Sequence, residues 1–207
     1  VETRKAPRGR RVETIREVVE GSGQVQEHVG SRTFSFPATA FWQAHSQAPA
    51  AYTQLVTEWL GQREYQERTA WDLYGGVGLF VPALAAAVQG KVISVDYSPA
   101  ATAAEQPCLA DCDVELKSAK VEQVAAQLPK PGAVVLDPPR TGAGKDVIRS
   151  VAAAAPQAVV HVGCDPATFA RDLHYWDEHG YGIEKMALIN AFPGTHHFET
   201  IALITPA

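Results

Sequence analysis

Ala70-Trp71-Asp72-Leu73-Tyr74-Gly75-Gly76-Val77-Gly78 is a short apolar run that breaks into glycines and passes at once into the helix-spaced stretch Leu79–Val88. Strand, glycine turn and helix in that order open a βα unit of an open sheet. The rhythm repeats downstream. Strand-like runs fall at Ala70–Tyr74, Val92–Asp96, Val114–Leu116, Ala133–Asp137 and Ala158–Cys164, with helix-like runs at Leu79–Val88, Pro99–Ala110, Val121–Leu128, Lys145–Ala155 and Thr168–Gly180. Short apolar strands alternating with helices call for a parallel sheet covered on both faces. The end departs from this pattern, because only Pro193-Gly194-Thr195-His196 separates the strand-like stretches Ile183–Phe192 and His197–Thr205. That connection is too short for a parallel crossover, so the last pair is antiparallel. The expected fold class is α/β, mostly parallel, with an antiparallel last strand.

Toward the N-terminus, Ser46–Leu60 carries Ala48, Ala51, Tyr52, Leu55, Val56 and Trp59 at helical spacing. Between Arg11 and Phe36, β-formers mixed with Gly21, Gly23 and Gly30 predict two or three short strands. Residues 1–11 are basic and read either as a loose stub or as an RNA-facing edge. The first residue is Val and the one methionine is Met186, which suggests the C-terminal part of a longer chain. At 207 residues and 46% hydrophobic, the chain can bury a core that needs neither disulfides nor a structural metal. No apolar run approaches the roughly 20 residues of a membrane span, and the basic opening lacks the apolar core of a signal peptide. Cys108, Cys112 and Cys164 form no even framework, which points to a reducing cytoplasm. A formal net charge of -5 argues against a protein that coats nucleic acid by charge alone, though not against an enzyme with a local grip.

Chemistry-bearing residues collect at the predicted strand ends. Gly76-Val77-Gly78 lacks the third glycine of a dinucleotide fingerprint. Asp96, ending the second strand, can accept from the ribose hydroxyls of a dinucleotide or of S-adenosylmethionine. Asp137-Pro138-Pro139-Arg140 ends the fourth strand, where Arg140 stands in place of the aromatic residue that amino-group methyltransferases use to stack on a base. Cys164 ends the fifth strand just before a helix. It reads either as a small core residue or as a nucleophile whose thiolate the helix dipole favours. Glu199 follows the last turn and reads as a solvated strand residue or as a base at the open end of the cleft. His196 and His197 have no third ligand at metal spacing, so no metal is expected.

Taken in order, Phe41-Trp42-Gln43, Asp72–Gly78, Asp96, Asp137–Arg140, Cys164–Thr168 and Phe192–Glu199 resemble the RNA uracil-C5 methyltransferases from about residue 35 to the end. The resemblance implies a Rossmann-like class I S-adenosylmethionine-dependent methyltransferase sheet that makes 5-methyluridine in transfer or ribosomal RNA. It implies Cys164 as nucleophile and Glu199 as base. The family's S-adenosyl-L-methionine positions fall on Gln43, Tyr74, Gly76, Leu79, Asp96 and Asp137. In the implied mechanism a thiolate adds at carbon 6, carbon 5 then takes the methyl group, and a base removes the carbon 5 proton so that the cysteine can leave. The target base must leave its stack to react. Arg140 and Arg171 are candidates for phosphate contacts.

Three departures stand out. Gly163-Cys164-Asp165-Pro166 replaces the usual S-C-N-P, Gly75 replaces a cysteine, and Leu79 stands where relatives often carry a hydrogen-bonding side chain. Asp165 for asparagine is expected to alter contacts to the base. Relatives also carry an N-terminal oligonucleotide-binding barrel and sometimes a cysteine-held iron–sulfur cluster. Residues 1–35 are therefore expected to be the remnant of an RNA-recognition region and 36–207 the catalytic domain. A cytoplasmic monomer acting on transfer or ribosomal RNA is expected, with cytosine-C5 methylation or a non-catalytic RNA-binding module as the competing readings.

Overall fold

The computed structural model describes residues 18–99, 102–195 and 197–207. The basic stretch at residues 1–11 and His196 lie outside them. A hairpin of β1 (Gln24–Val29) and β2 (Arg32–Pro37) comes first. It buries Phe34 and Phe36, which pack on the Trp42 ring at 5.8 and 5.0 Å between centroids. Helix α1 (Ala48–Gly61) follows, opened by Pro49 in its first turn, where a missing N–H costs nothing.

The main sheet has seven strands in the order β5-β4-β3-β6-β7-β9-β8. These are β3 (Thr69–Leu73), β4 (Lys91–Asp96), β5 (Val114–Ser118), β6 (Ala133–Leu136), β7 (Ala158–Gly163), β8 (Tyr181–Ile189) and β9 (Glu199–Pro206). β3 to β7 are mutually parallel, and β9 lies between β7 and β8, antiparallel to both. Helices α2 (Val81–Val88), α3 (Val121–Val124), α4 (Gly144–Ala153) and α5 (Pro166–Glu178) complete the layers. Alternate strand residues feed two cores. Ala70, Val135 and Val160 face α1 and α2, whereas Trp71, Val134 and Val159 face α4 and α5. Burial on both faces explains why the central strands read as unbroken apolar runs.

Two expected helices are not regular helices. Over 99–110 the described residues hold the 3₁₀ turns Ala103–Glu105 and Pro107–Leu109 and no α-helix. Pro107 interrupts a helical ladder, and buried Gln106 binds Ser35 through its amide and carbonyl as well as the Thr102 hydroxyl. The run over 121–128 shortens to α3 and a 3₁₀ turn, Ala125–Gln127, ahead of Pro129. The antiparallel ending agrees with the sequence reading. The insertion of β9 between β7 and β8 goes beyond it.

Candidate active site

Strand order reverses between β3 and β6, and a cavity of about 560 Å³ opens beyond the carboxyl ends of β3, β4, β6 and β7. Its wall at β3 is a strained turn. Tyr74 adopts φ 62°, and its amide and that of Gly75 donate to the Val95 carbonyl at 2.8 and 3.2 Å. Positive φ at a tyrosine persists only where surrounding contacts enforce it. Beneath the turn, buried Asp72 accepts from Ser94 Oγ at 3.2 Å, and burial pushes its carboxyl up to about 7. A Cβ at Gly75 would collide with both of those side chains. Gly75 therefore leaves room for the Asp72–Ser94 pair.

Asp96 braces the same turn. Its Oδ2 accepts from the Gly76 amide at 2.9 Å and its Oδ1 from the Ser98 amide at 2.6 Å. Across the cavity Gln43 Nε2 donates to Asp137 Oδ2 at 2.9 Å, and burial pushes the Asp137 carboxyl up to about 6.

Cys164 and Glu199 meet through sheet register. Gly163 of β7 pairs with Thr200 of antiparallel β9, so the chain's next step places Cys164 beside Glu199, and both line the cavity. Glu199 is only 5% exposed, which corrects its expected place at the open end of the cleft. Burial, and then the neighbouring Asp137, push its carboxyl up to about 7, against the pull of Arg140. The Cys164 thiol is also pushed up, first by burial and then by Glu199 and Asp137. A thiolate favoured by the helix dipole is thus not what these surroundings produce, since burial, ahead of the two carboxyls, disfavours charge on the sulfur. Asp165 is the N-cap of α5, accepting from the Ala167 and Thr168 amides at 3.1 and 2.9 Å. Its carboxylate faces the helix, so the exchange for asparagine bears on capping.

Residues 114–206 match the model of the tRNA (Uracil-5-)-methyltransferase family. An uncharacterized RNA methyltransferase of Corynebacterium glutamicum is 53% identical over 208 residues, covering 98% of this chain and 50% of its own length. The crystal structure of Pyrococcus abyssi tRNA (uracil-54, C5)-methyltransferase in complex with S-adenosyl-L-homocysteine superposes with a TM-score of 0.77 at 25% identity, over 97% of this chain and 49% of that one. Over residues 114–206 the chain is thus similar to the tRNA (uracil-5-)-methyltransferase family. It spans about half the length of the curated relatives it matches. M. jannaschii TYW2 in complex with AdoMet shares the fold, with a TM-score of 0.63 at 14% identity over 92% of this chain and 90% of that one.

Of the positions that the family resemblance singles out, Gln43, Tyr74, Gly76, Asp96, Asp137, Cys164 and Glu199 all line the one cavity. Leu79 does not. It is 6% exposed in the core between α1 and α2, and lines a smaller recess behind Tyr74 and Asp137 with an apolar side chain. Arg171 is exposed and bonded to Asp172 at 2.8 Å and to the Thr141 carbonyl at 2.7 Å, outside the cavity that Arg140 lines. Sequence reasoning passed over Tyr52, whose buried hydroxyl has no hydrogen-bond partner among the described residues and whose ionisation is opposed by burial and by nearby Glu199, Asp137 and Cys164. Only a tertiary fold brings α1 to β9, so no local signal marked it. Among the described residues, no three His, Cys, Asp or Glu side chains are arranged to hold a metal, and no helix is long and apolar enough to cross a membrane.

Proposed function

We propose that this chain is the catalytic part of an S-adenosyl-L-methionine-dependent enzyme that methylates carbon 5 of uridine in RNA, transfer or ribosomal, through a covalent adduct on Cys164. The observation that carries this reading is the placement of a thiol and a buried carboxyl, Cys164 and Glu199, side by side in the cavity that Gln43, Asp96 and Asp137 also line. The name of the Pyrococcus abyssi relative, with its bound S-adenosyl-L-homocysteine, supports both the cofactor and the base.

The residues present suit the cofactor. Asp96 spends one backbone contact on each oxygen and keeps lone pairs for a diol. Asp96, Asp137 and Glu199 give the wall an acidic character that suits a sulfonium cation. S-adenosyl-L-methionine, when bound, supplies the electrophilic methyl group. The chain's own residues supply the rest. Cys164 gives its thiol proton to solvent and adds through Sγ, as the thiolate, to carbon 6 of the uracil ring; the displaced π pair makes carbon 5 nucleophilic, and carbon 5 takes the methyl group. Glu199 takes the carbon 5 proton, after which the sulfur–carbon bond breaks and the ring regains its double bond. A carboxyl poised at about 7 is matched to that proton transfer at neutral pH.

The test is methylation of unmodified RNA by the full-length enzyme with labelled S-adenosyl-L-methionine, read by nucleoside mass spectrometry. Label should appear in 5-methyluridine and vanish with Cys164→Ala. Label in 5-methylcytidine, or undiminished transfer by Cys164→Ala, would overturn the assignment.

A further inference from the structure

The loop after β6 carries Arg140 and is fastened along its backbone to one face of α5. Thr168 Oγ1 donates to the Arg140 carbonyl at 2.9 Å, and Arg171 Nη2 donates to the Thr141 carbonyl at 2.7 Å. The Ala143 and Gly144 amides donate to the Asp172 carboxylate at 2.6 and 3.3 Å. Thr168, Arg171 and Asp172 stand three and four apart, so they share one helix face. Asp172 is completely buried, with the Arg171 guanidinium as its charge partner at 2.8 Å. The loop can lie this close only because Gly142 has no side chain: at φ 76° a Cβ would collide with Arg171 and Asp172. A buried carboxylate is costly unless paired and fully bonded, and here its bonds go to loop amides that open water could satisfy as well. What the arrangement secures is the position of the loop. Because α5 starts directly after Cys164, Arg140 and the thiol are fixed to the same first turn of the same helix.

The cavity that receives Arg140 is otherwise acidic. Asp96, Asp137 and Glu199 line it, and among the described residues Arg140 is the one lysine or arginine of its lining. The reaction proposed above needs a cation there. When the thiolate lone pair forms the sulfur–carbon 6 bond, the carbon 5–carbon 6 π pair moves toward the carbonyl as an enolate. One negative charge is carried from sulfur to the ring, and it persists until carbon 5 takes the methyl group.

We propose that Arg140 is a catalytic cation that offsets this charge on Cys164 and on the enolate, and that Thr168, Arg171 and Asp172 are its positioning residues. The inference rests on the proposed function and names a part of its machinery. The titratable and charged groups facing the thiol are Glu199 from β9, Asp137 from the end of β6, Tyr52 from α1 and Arg140. His197 lines the same cavity from the turn before β9. Asp165 is turned to the helix amides. Burial first, and then both carboxyls, hold the thiol protonated, Tyr52 is a neutral phenol at working pH, and Arg140 is the group whose charge pulls the thiol down.

The experiment follows alkylation of Cys164 by iodoacetamide against pH in the 207-residue chain, with Cys108 and Cys112 read in the same digest as internal controls. Arg140→Gln is expected to move the Cys164 midpoint up by roughly one pH unit, about tenfold in rate below it, as for loss of a close opposite charge. Arg140→Lys should recover most of the shift. Thr168→Val and Asp172→Asn should shift Cys164 in the same direction while leaving Cys108 and Cys112 unchanged. If Asp172→Asn does not fold, Thr168→Val still decides the positioning role. A Cys164 profile that superposes on wild type for Arg140→Gln overturns the proposal, as does one that shifts for Arg140→Gln but not for Thr168→Val. Loss of RNA affinity by Arg140→Gln with the alkylation profile unmoved would make Arg140 a phosphate contact, and also overturns it. Failure of wild-type protein to bind S-adenosyl-L-methionine in calorimetry would count against the function instead, and is read separately.

Discussion

Glu199 and Cys164 stand side by side and have opposite tasks in the proposed reaction, yet their surroundings treat both alike by disfavouring charge. For Glu199 this is useful, because a carboxyl near 7 is both a competent base and a tolerable buried acid. Replacing it separates the two halves of the proposed reaction. In Glu199→Gln the nucleophile remains and methylation of carbon 5 can proceed, but nothing removes the carbon 5 proton. The methylated adduct should accumulate as a protein–RNA band that survives denaturing electrophoresis, with turnover down by at least about a hundredfold, the usual scale for loss of a positioned base. Wild-type turnover by this variant would transfer the role of base to a histidine of the same turn. Because Glu199 is buried, its folding must be confirmed by thermal melt first, and the glutamine keeps shape and polarity for that reason.

At the level of elements, α5 joins catalysis to stability. It begins with the side-chain cap of Asp165, continues through the loop clamp at Thr168, Arg171 and Asp172, and ends with Trp176 in the core. The cap explains why an acid is accepted where relatives carry asparagine, since either side chain accepts from the first-turn amides and an acid also suits the helix N-terminus. Asp165→Asn should therefore melt within a degree or two of wild type. Asp165→Ala should lower the urea midpoint, because it removes the side-chain cap. An equal loss from both substitutions would mean that the carboxylate's charge, and not its capping bond, is what matters.

For the whole molecule, buried acids make stability depend on pH in an unusual direction. Asp72 and Glu199 stand at about 7 and Asp137 at about 6 in the folded chain, against ordinary values of 3.8 for Asp and 4.5 for Glu. Between those limits the folded state holds protons that the unfolded chain releases, so stability falls as pH rises through the window. Buried His161 works the other way, with its value lowered from 6.5 to about 4 by burial, so it costs stability as pH falls through that range. Between pH 6 and 8 the carboxyls outnumber it. The free protein should thus have a higher urea midpoint at pH 6 than at pH 8, and Asp72→Asn should flatten the difference. A midpoint that rises steadily with pH would show that these acids are solvated. The alternation of strands and helices, the antiparallel ending and the chemistry at each strand end were legible in the chain itself. Period and turn length are local, and residues such as Asp96, Asp137 and Cys164 announce themselves by standing where a strand stops. Tertiary structure alone decided the rest. It set β9 between β7 and β8, buried Glu199 beside Cys164, turned Asp165 to its helix and Arg171 to its loop, and sent Leu79 to the core. Each of these depends on which surfaces meet across the sheet, and the charge state of a buried group depends on neighbours that the chain brings from a hundred residues away.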